Sequence, residues 1–209
     1  GARTRLLNGV RVLNEAHASK LCSQQVLHAN NILQAINQMP LHKSPGGDGF
    51  PAEFYRAFGT ELAPLLAEMY QECLDRGEMP EGMRRAVVSL VYKKKGSRLS
   101  WKNYRPLAVS CTEYKIMAKA MQLKLDDVLQ YIIGPSQVGF QRGRYIGEAT
   151  ALAQLVCEYC KRRKIDGLLV PLDGEQAYDR VQWDWLQECM QAMGIPESFR
   201  SMVSLLYTS

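Results

Sequence analysis

The chain has 209 residues, of which 46% are hydrophobic and 22% charged, with a net charge of +5. That length buries a real core, and the composition excludes the intrinsically disordered class. No apolar run reaches the roughly eighteen residues of a membrane span, and GARTRLLNGV at the N-terminus has no stretch suited to a signal peptide, so a soluble intracellular protein without a membrane partner is expected.

Residues 1–22 carry no readable pattern and are left as an unassigned N-terminal extension. From Ser23, apolar Val26, Ala29, Ile32, Leu33, Ile36 and Met39 recur at helical spacing until Pro40 ends the run. HKSPGGDGF holds one proline and three glycines in nine residues and reads as a loop. Pro51 suits the first turn of a short helix over AEFYRAF. Thr60 is placed to cap a helix whose stripe is Leu62, Leu65, Leu66, Met69, Tyr70 and Cys73, with Gly77 closing it.

AVVSLVY is short, β-branched and bounded by charge, so the pattern predicts a strand over 86–92. A basic loop, KKKGSRLSWKNYRP, follows. Between Arg84 and Arg105 lie eight basic residues and no acidic ones, interleaved with Tyr92, Trp101 and Tyr104. Such a stretch suits a phosphate backbone and stacked bases, although a bare charge run is more often a solvated loop.

Thr112 is placed to cap a long helix to about residue 133, with Ile116, Ala120, Leu123, Val128 and Ile132 inward. A second glycine-rich loop, GPSQVGFQRGRYIG, leads to a helix over 148–164 with Leu152, Leu155, Val156 and Tyr159 on one face. Asp166-Gly167 reads as a turn and LLVPLD as a strand ending at Asp173. Two helices finish the chain, WDWLQECMQAM closed by Gly194 and then ESFRSMVSLLY. The fold class is α+β and helix-rich. The single C-x-x-C, Cys157 and Cys160, has no second pair or nearby histidine and reads as plain thiols.

Five segments together resemble, in order, the polymerase of non-LTR (LINE-like) retrotransposons and more distantly that of group II introns. They are KSPGGDGFPAEFYRAFG (43–59), VVSLVYKKKGSRLSWKNYRPLAV (87–109), SQVGFQRGR (136–144), PLDGEQAYDRVQWDWL (171–186) and AMGIPESFRSMVSLLY (192–207). The resemblance implies the fingers and partial palm of a right-hand polymerase, with 23–165 fingers-like and 166–209 the start of the palm. It implies an RNA template or RNA–DNA hybrid and a dNTP as partners, with Mg²⁺ as cofactor.

By that resemblance Asp173 is the catalytic metal ligand, and the Gly174 backbone carbonyl also touches a metal. Hard oxygen ligands of this kind are what Mg²⁺ requires. Tyr178 takes the aromatic position that closes on the sugar 2′ site, and Arg105 contacts the incoming triphosphate, assisted by one of Lys93, Lys94 and Lys95. Gln141, Arg142, Gly143 and Arg144 fall where the family touches the template backbone.

Two departures accompany the match: Pro171 removes a donor from the strand before Asp173, and Gly174 replaces a larger residue. The family's second metal motif, an aromatic-Ala-Asp-Asp turn, has no counterpart here, and Asp126-Asp127 fall mid-helix. The isolated chain is therefore expected not to polymerise DNA. It reads as the N-terminal part of a reverse transcriptase truncated before the second catalytic motif. A truncated or domesticated copy acting as an RNA-binding or structural subunit among other protein subunits stays open beside that.

Overall fold

A computed structural model describes residues 2–174 and 177–208. Among the described residues helices dominate, beside one two-stranded antiparallel sheet. The chain divides into two compact units, one of residues 19–125 with 196–209, the other of residues 1–18 with 126–195.

In the first unit the predicted helix after Ser23 is two helices, α3 (Ser23–Val26) and α4 (Ala29–Asn37). The break is set by His28, whose Nδ1 accepts a hydrogen bond from the Asn30 N–H at 3.2 Å and so caps α4. The apolar stripe survives the break, with Val26, Ile32 and Ile36 wholly buried. α5 (Ala52–Ala57) is tied back by Arg56, which donates to the carbonyls of Asn37 and Met39.

α6 (Gly59–Arg76) packs along α4. Its N-cap is Phe58, so Thr60 lies inside the helix rather than capping it. Leu66, Tyr70 and Cys73 are buried, whereas Leu65 of the expected stripe faces solvent. A one-turn helix, α7 (Glu81–Arg84), then leads into β1 (Ala86–Tyr92).

β1 pairs with β2 (Tyr104–Ser110) from Ala86 opposite Ser110 to Tyr92 opposite Tyr104. β2 was not legible as a strand because Pro106 interrupts YRPLAVS. A proline is tolerated there because each strand of a two-stranded sheet has a free edge. Both faces of the hairpin are exposed: Val87, Val91 and Leu107 on one, Val88 and Leu90 on the other.

α8 (Thr112–Ile132) begins in this unit, with Ile116 and Met117 wholly buried. α11 (Glu197–Thr208) packs against α3 and α6 through Phe199, Met202 and Leu205. Burying side chains of this size contributes about 1.5–3 kcal/mol each, so the core of this unit rests on α3, α4, α6, α8 and α11.

The second unit contains α1 (Ala2–Leu7), α2 (Glu15–Ala18), the end of α8, α9 (Ile146–Arg163) and α10 (Trp183–Ala192). Val128, Ile132, Met190 and Ile195 are its buried anchors. Gly194 follows α10 at φ +76°, a left-handed conformation that a side chain would oppose.

α9 leaves the apolar face read from the sequence open, with Leu152 at 60% and Leu155 at 63% accessible. The helix is instead favoured locally: Glu148 sits in its first turn, Lys161, Arg162 and Arg163 in its last, and Arg162 pairs with Glu158 at 2.6 Å. LLVPLD is irregular rather than a strand. Pro171 withholds a ladder donor, and no described strand lies beside the segment to pair with it.

Candidate nucleotide and nucleic-acid site

The basic stretch after β1 is a folded loop rather than a loose one. Lys93 closes it twice, its N–H donating to the Asn103 carbonyl and its ammonium to the Lys102 carbonyl, both at 2.7 Å. The Asn103 amide donates to the Ser97 carbonyl at 2.7 Å, and the Tyr104 hydroxyl to the Arg98 carbonyl at 3.0 Å. Arg98 lies over the Tyr92 ring at 5.3 Å, which itself packs on Tyr104 at 5.5 Å.

The three lysines are thereby distinguished. Lys93 is engaged with the loop's own backbone, while Lys94 and Lys95 stand exposed next to it. Arg105 is exposed on β2 opposite Val91, one step along the ladder from the Tyr92–Tyr104 pair. Arg105 and the lysine loop thus belong to one hairpin.

The loop SPGGDGF is seated on the junction of β2 and α8. Thr112 donates its hydroxyl to the Phe50 carbonyl at 2.6 Å, and Lys115 reaches the Ser44 carbonyl at 3.3 Å. Tyr70, wholly buried, donates to the Glu113 carbonyl at 2.8 Å, and Tyr55 donates to the Glu113 carboxylate. Burial pushes both phenols well above their ordinary value, and the nearby Glu113 charge adds to it. No local sequence signal marks Glu113 for this role; its partners lie 43 and 58 residues away.

In the other unit, Gln141, Arg142, Gly143 and Arg144 form a turn whose two arginines differ sharply. Arg144 is half-buried and donates to the carbonyls of Ile133, Gly134 and Gln137, closing the end of α8. Arg142 is exposed, and Gly143 has φ +78°. Asp173, Gly174 and Tyr178 are exposed, with Tyr178 80% accessible. Glu175 and Gln176, the middle of the D-x-x-x-A-Y segment, lie outside the described residues.

Magnesium chemistry needs several hard oxygen donors around each ion. Among the described residues, the one trio of ligand atoms close enough to share an ion is Asp48, Cys111 and Glu113, all within 4.8 Å. Burial pushes the Cys111 thiol up to about 11, so at neutral pH it is a protonated, soft donor unsuited to Mg²⁺. Among the described residues Asp173 belongs to no such trio, and the donors there do not form a complete Mg²⁺ site; Asp173 offers a single carboxylate.

The family model for reverse transcriptase (RNA-dependent DNA polymerase) matches residues 92–208, more than half of the chain. The chain belongs to the reverse transcriptase family.

It is 34% identical over 204 residues to the "Transposon TX1 uncharacterized 149 kDa protein" of Xenopus laevis, covering 98% of this chain and 15% of that protein. It is 25% identical over 169 residues to "Probable RNA-directed DNA polymerase from transposon BS" of Drosophila melanogaster, covering 77% of this chain and 18% of that protein. A third relative is "Retrovirus-related Pol polyprotein from type-1 retrotransposable element R1" of Bradysia coprophila, 24% identical over 159 residues, covering 75% of this chain and 16% of that protein. The chain thus spans less than a fifth of the length of these relatives. Among the described residues no helix is long and apolar enough to cross a membrane.

Proposed function

We propose that this chain is the fingers and the start of the palm of an RNA-directed DNA polymerase, with 23–165 fingers-like and 166–209 opening the palm. It binds an RNA template or RNA–DNA hybrid and the incoming dNTP, and it does not polymerise by itself. The observation that carries this reading is the ordered hairpin that presents Arg105 with exposed Lys94 and Lys95, within a chain of this family.

A guanidinium fork on a strand and a pair of ammonium groups on the adjoining loop suit a triphosphate, whose oxygens accept charge-assisted hydrogen bonds. Lys93, tied to the loop backbone, positions the loop instead. Arg142, with Gln141 and Gly143 beside it, is the template-backbone contact, and Arg144 holds the turn that presents it. Tyr178 closes on the sugar by steric exclusion.

Asp173, with the Gly174 carbonyl, contributes one side of the metal site, and the remaining ligands come from outside these residues. When bound, Mg²⁺ supplies charge neutralisation at the phosphates.

Photo-crosslinking of an azido-dNTP tests the reading. Labelling is expected in 93–105 and should fall in Arg105→Ala. Labelling confined to segments outside 93–105 and 173–178, or labelling indifferent to Arg105, overturns the nucleotide assignment. Template-dependent primer extension by the isolated chain with Mg²⁺ would overturn the inactivity.

A second reading, a structural or RNA-binding subunit, is favoured by a separate observation. The hairpin exposes Val88 and Leu90, and α9 exposes Leu152 and Leu155; each apolar surface by itself suits burial against other protein. Crosslinking to RNA but not to dNTP would select it.

A further inference from the structure

The first eighteen residues matched no motif, yet they are fastened to the chain far downstream. The Arg3 guanidinium donates to the Asp184 carboxylate and the Glu188 carboxylate at 3.0 Å each and to the Gln182 side-chain carbonyl at 2.9 Å. It also lies over the Trp185 ring at 5.4 Å. Three acceptors and a ring around one planar fork form a network rather than a lone surface pair.

Two further attachments continue the line. The Leu13 N–H donates to the Met193 carbonyl at 2.9 Å, satisfying a carbonyl just beyond α10. The His17 ring stacks on Tyr131 with centroids 3.8 Å apart. Leu13 is buried, and Val12 lies so near Gly194 that a Cβ there would meet it at 3.0 Å.

These contacts grip α10 at both ends. Its N-terminal end is held by Arg3 through Gln182, Asp184 and Trp185, and its N-cap Gln182 lies four residues after Tyr178. The intervening turn is closed by the Val181 N–H donating to the Tyr178 carbonyl at 3.3 Å. On its other side the segment leaves α9 through Lys164, whose backbone is left-handed at φ +56°.

We infer that residues 2–18 are a strap and that Arg3 is a positioning residue, fixing the start of α10 and through it the turn that presents Tyr178. The strap's value to nucleotide binding rests on the reading of Asp173 and Tyr178 given above. The strap itself does not. Because Arg3 touches Gln182, Asp184, Glu188 and Trp185 but neither Asp173 nor Tyr178, it acts through α10 rather than on a ligand.

The test is amide hydrogen exchange on the full chain, comparing wild type with Arg3→Ala and Arg3→Lys. In Arg3→Ala, exchange over 177–186 should rise roughly three- to fivefold, while α4 and α6 keep wild-type protection. Arg3→Lys should restore only part of it, since an ammonium cannot serve three acceptors and stack on the indole. Unchanged exchange over 177–186, or an equal rise throughout the chain, overturns the strap. Azido-dNTP crosslinking of Asp173→Asn runs alongside. Loss of protection in Arg3→Ala with crosslinking indifferent to both variants would keep the strap and overturn the nucleotide reading.

Discussion

Gly46 lies directly against the backbone of Cys111: a Cβ built on it would stand 2.4 Å from the Cys111 Cα and 2.6 Å from its nitrogen. No side-chain rearrangement relieves contact with main chain, so the loop or the start of α8 would have to move. Gly46→Ala should therefore destabilise the chain by about 2–3 kcal/mol. Gly47→Ala is the control, because its nearest neighbour is a Val87 methyl at 4.0 Å and its effect should stay below about 0.5 kcal/mol. Urea unfolding followed by tryptophan fluorescence reads both, and equal midpoints for the two variants would contradict the close approach.

The two arginines of QRGR should separate structure from binding. Arg144→Ala removes the donor that serves three carbonyls at the end of α8 and should cost about 1–3 kcal/mol of stability. Arg142→Ala should leave the unfolding midpoint unchanged and weaken RNA binding. Thermal melts paired with filter binding of both variants decide this. Arg142→Ala losing stability and Arg144→Ala losing none would reverse the assignment.

What was legible in the sequence tracks how local the cause is. α6 and α8 were readable because their buried residues, from Leu66 to Cys73 and from Ile116 to Ile132, repeat within one helix. The split between α3 and α4 was not, because a histidine cap leaves the apolar spacing intact across the break. LLVPLD has strand composition, but a strand needs a neighbour, and composition cannot supply one. Among the site residues, the basic hairpin was legible as charge, whereas the tie of Lys93 to the Lys102 carbonyl was not. Arg3 and Glu113 were invisible for a simpler reason: their partners are 181 and 58 residues distant.

Thiol reactivity should follow burial and its effect on ionisation. Burial pushes the Cys73 thiol up and the Cys111 thiol up to about 11, so Cys111 stays protonated well past neutrality. Cys157 is exposed on α9. With iodoacetamide at pH 8 on the native chain, peptide mass spectrometry should find Cys157 alkylated at least about tenfold faster than Cys111. Comparable rates would mean that the packing around Cys111 opens readily.

Acid should release the Arg3 network in a defined direction. The hydrogen bond from Arg3 holds the Asp184 carboxyl below its ordinary value of 3.8, helped by the Trp185 N–H. A carboxylate whose folded value is depressed stabilises the folded state above its unfolded value, and loses that contribution as pH falls through the lowered folded value. The stability difference between wild type and Arg3→Ala should thus be level from pH 7 down to about 4 and shrink below it. In an Asp184→Asn background the pH-dependent part of the Arg3→Ala difference should shrink, with Glu188 left as the remaining charged partner. Paired urea titrations at pH 7, 5, 4 and 3 read the trend. A wild-type advantage that grows as the pH falls below 4 would contradict the pairing.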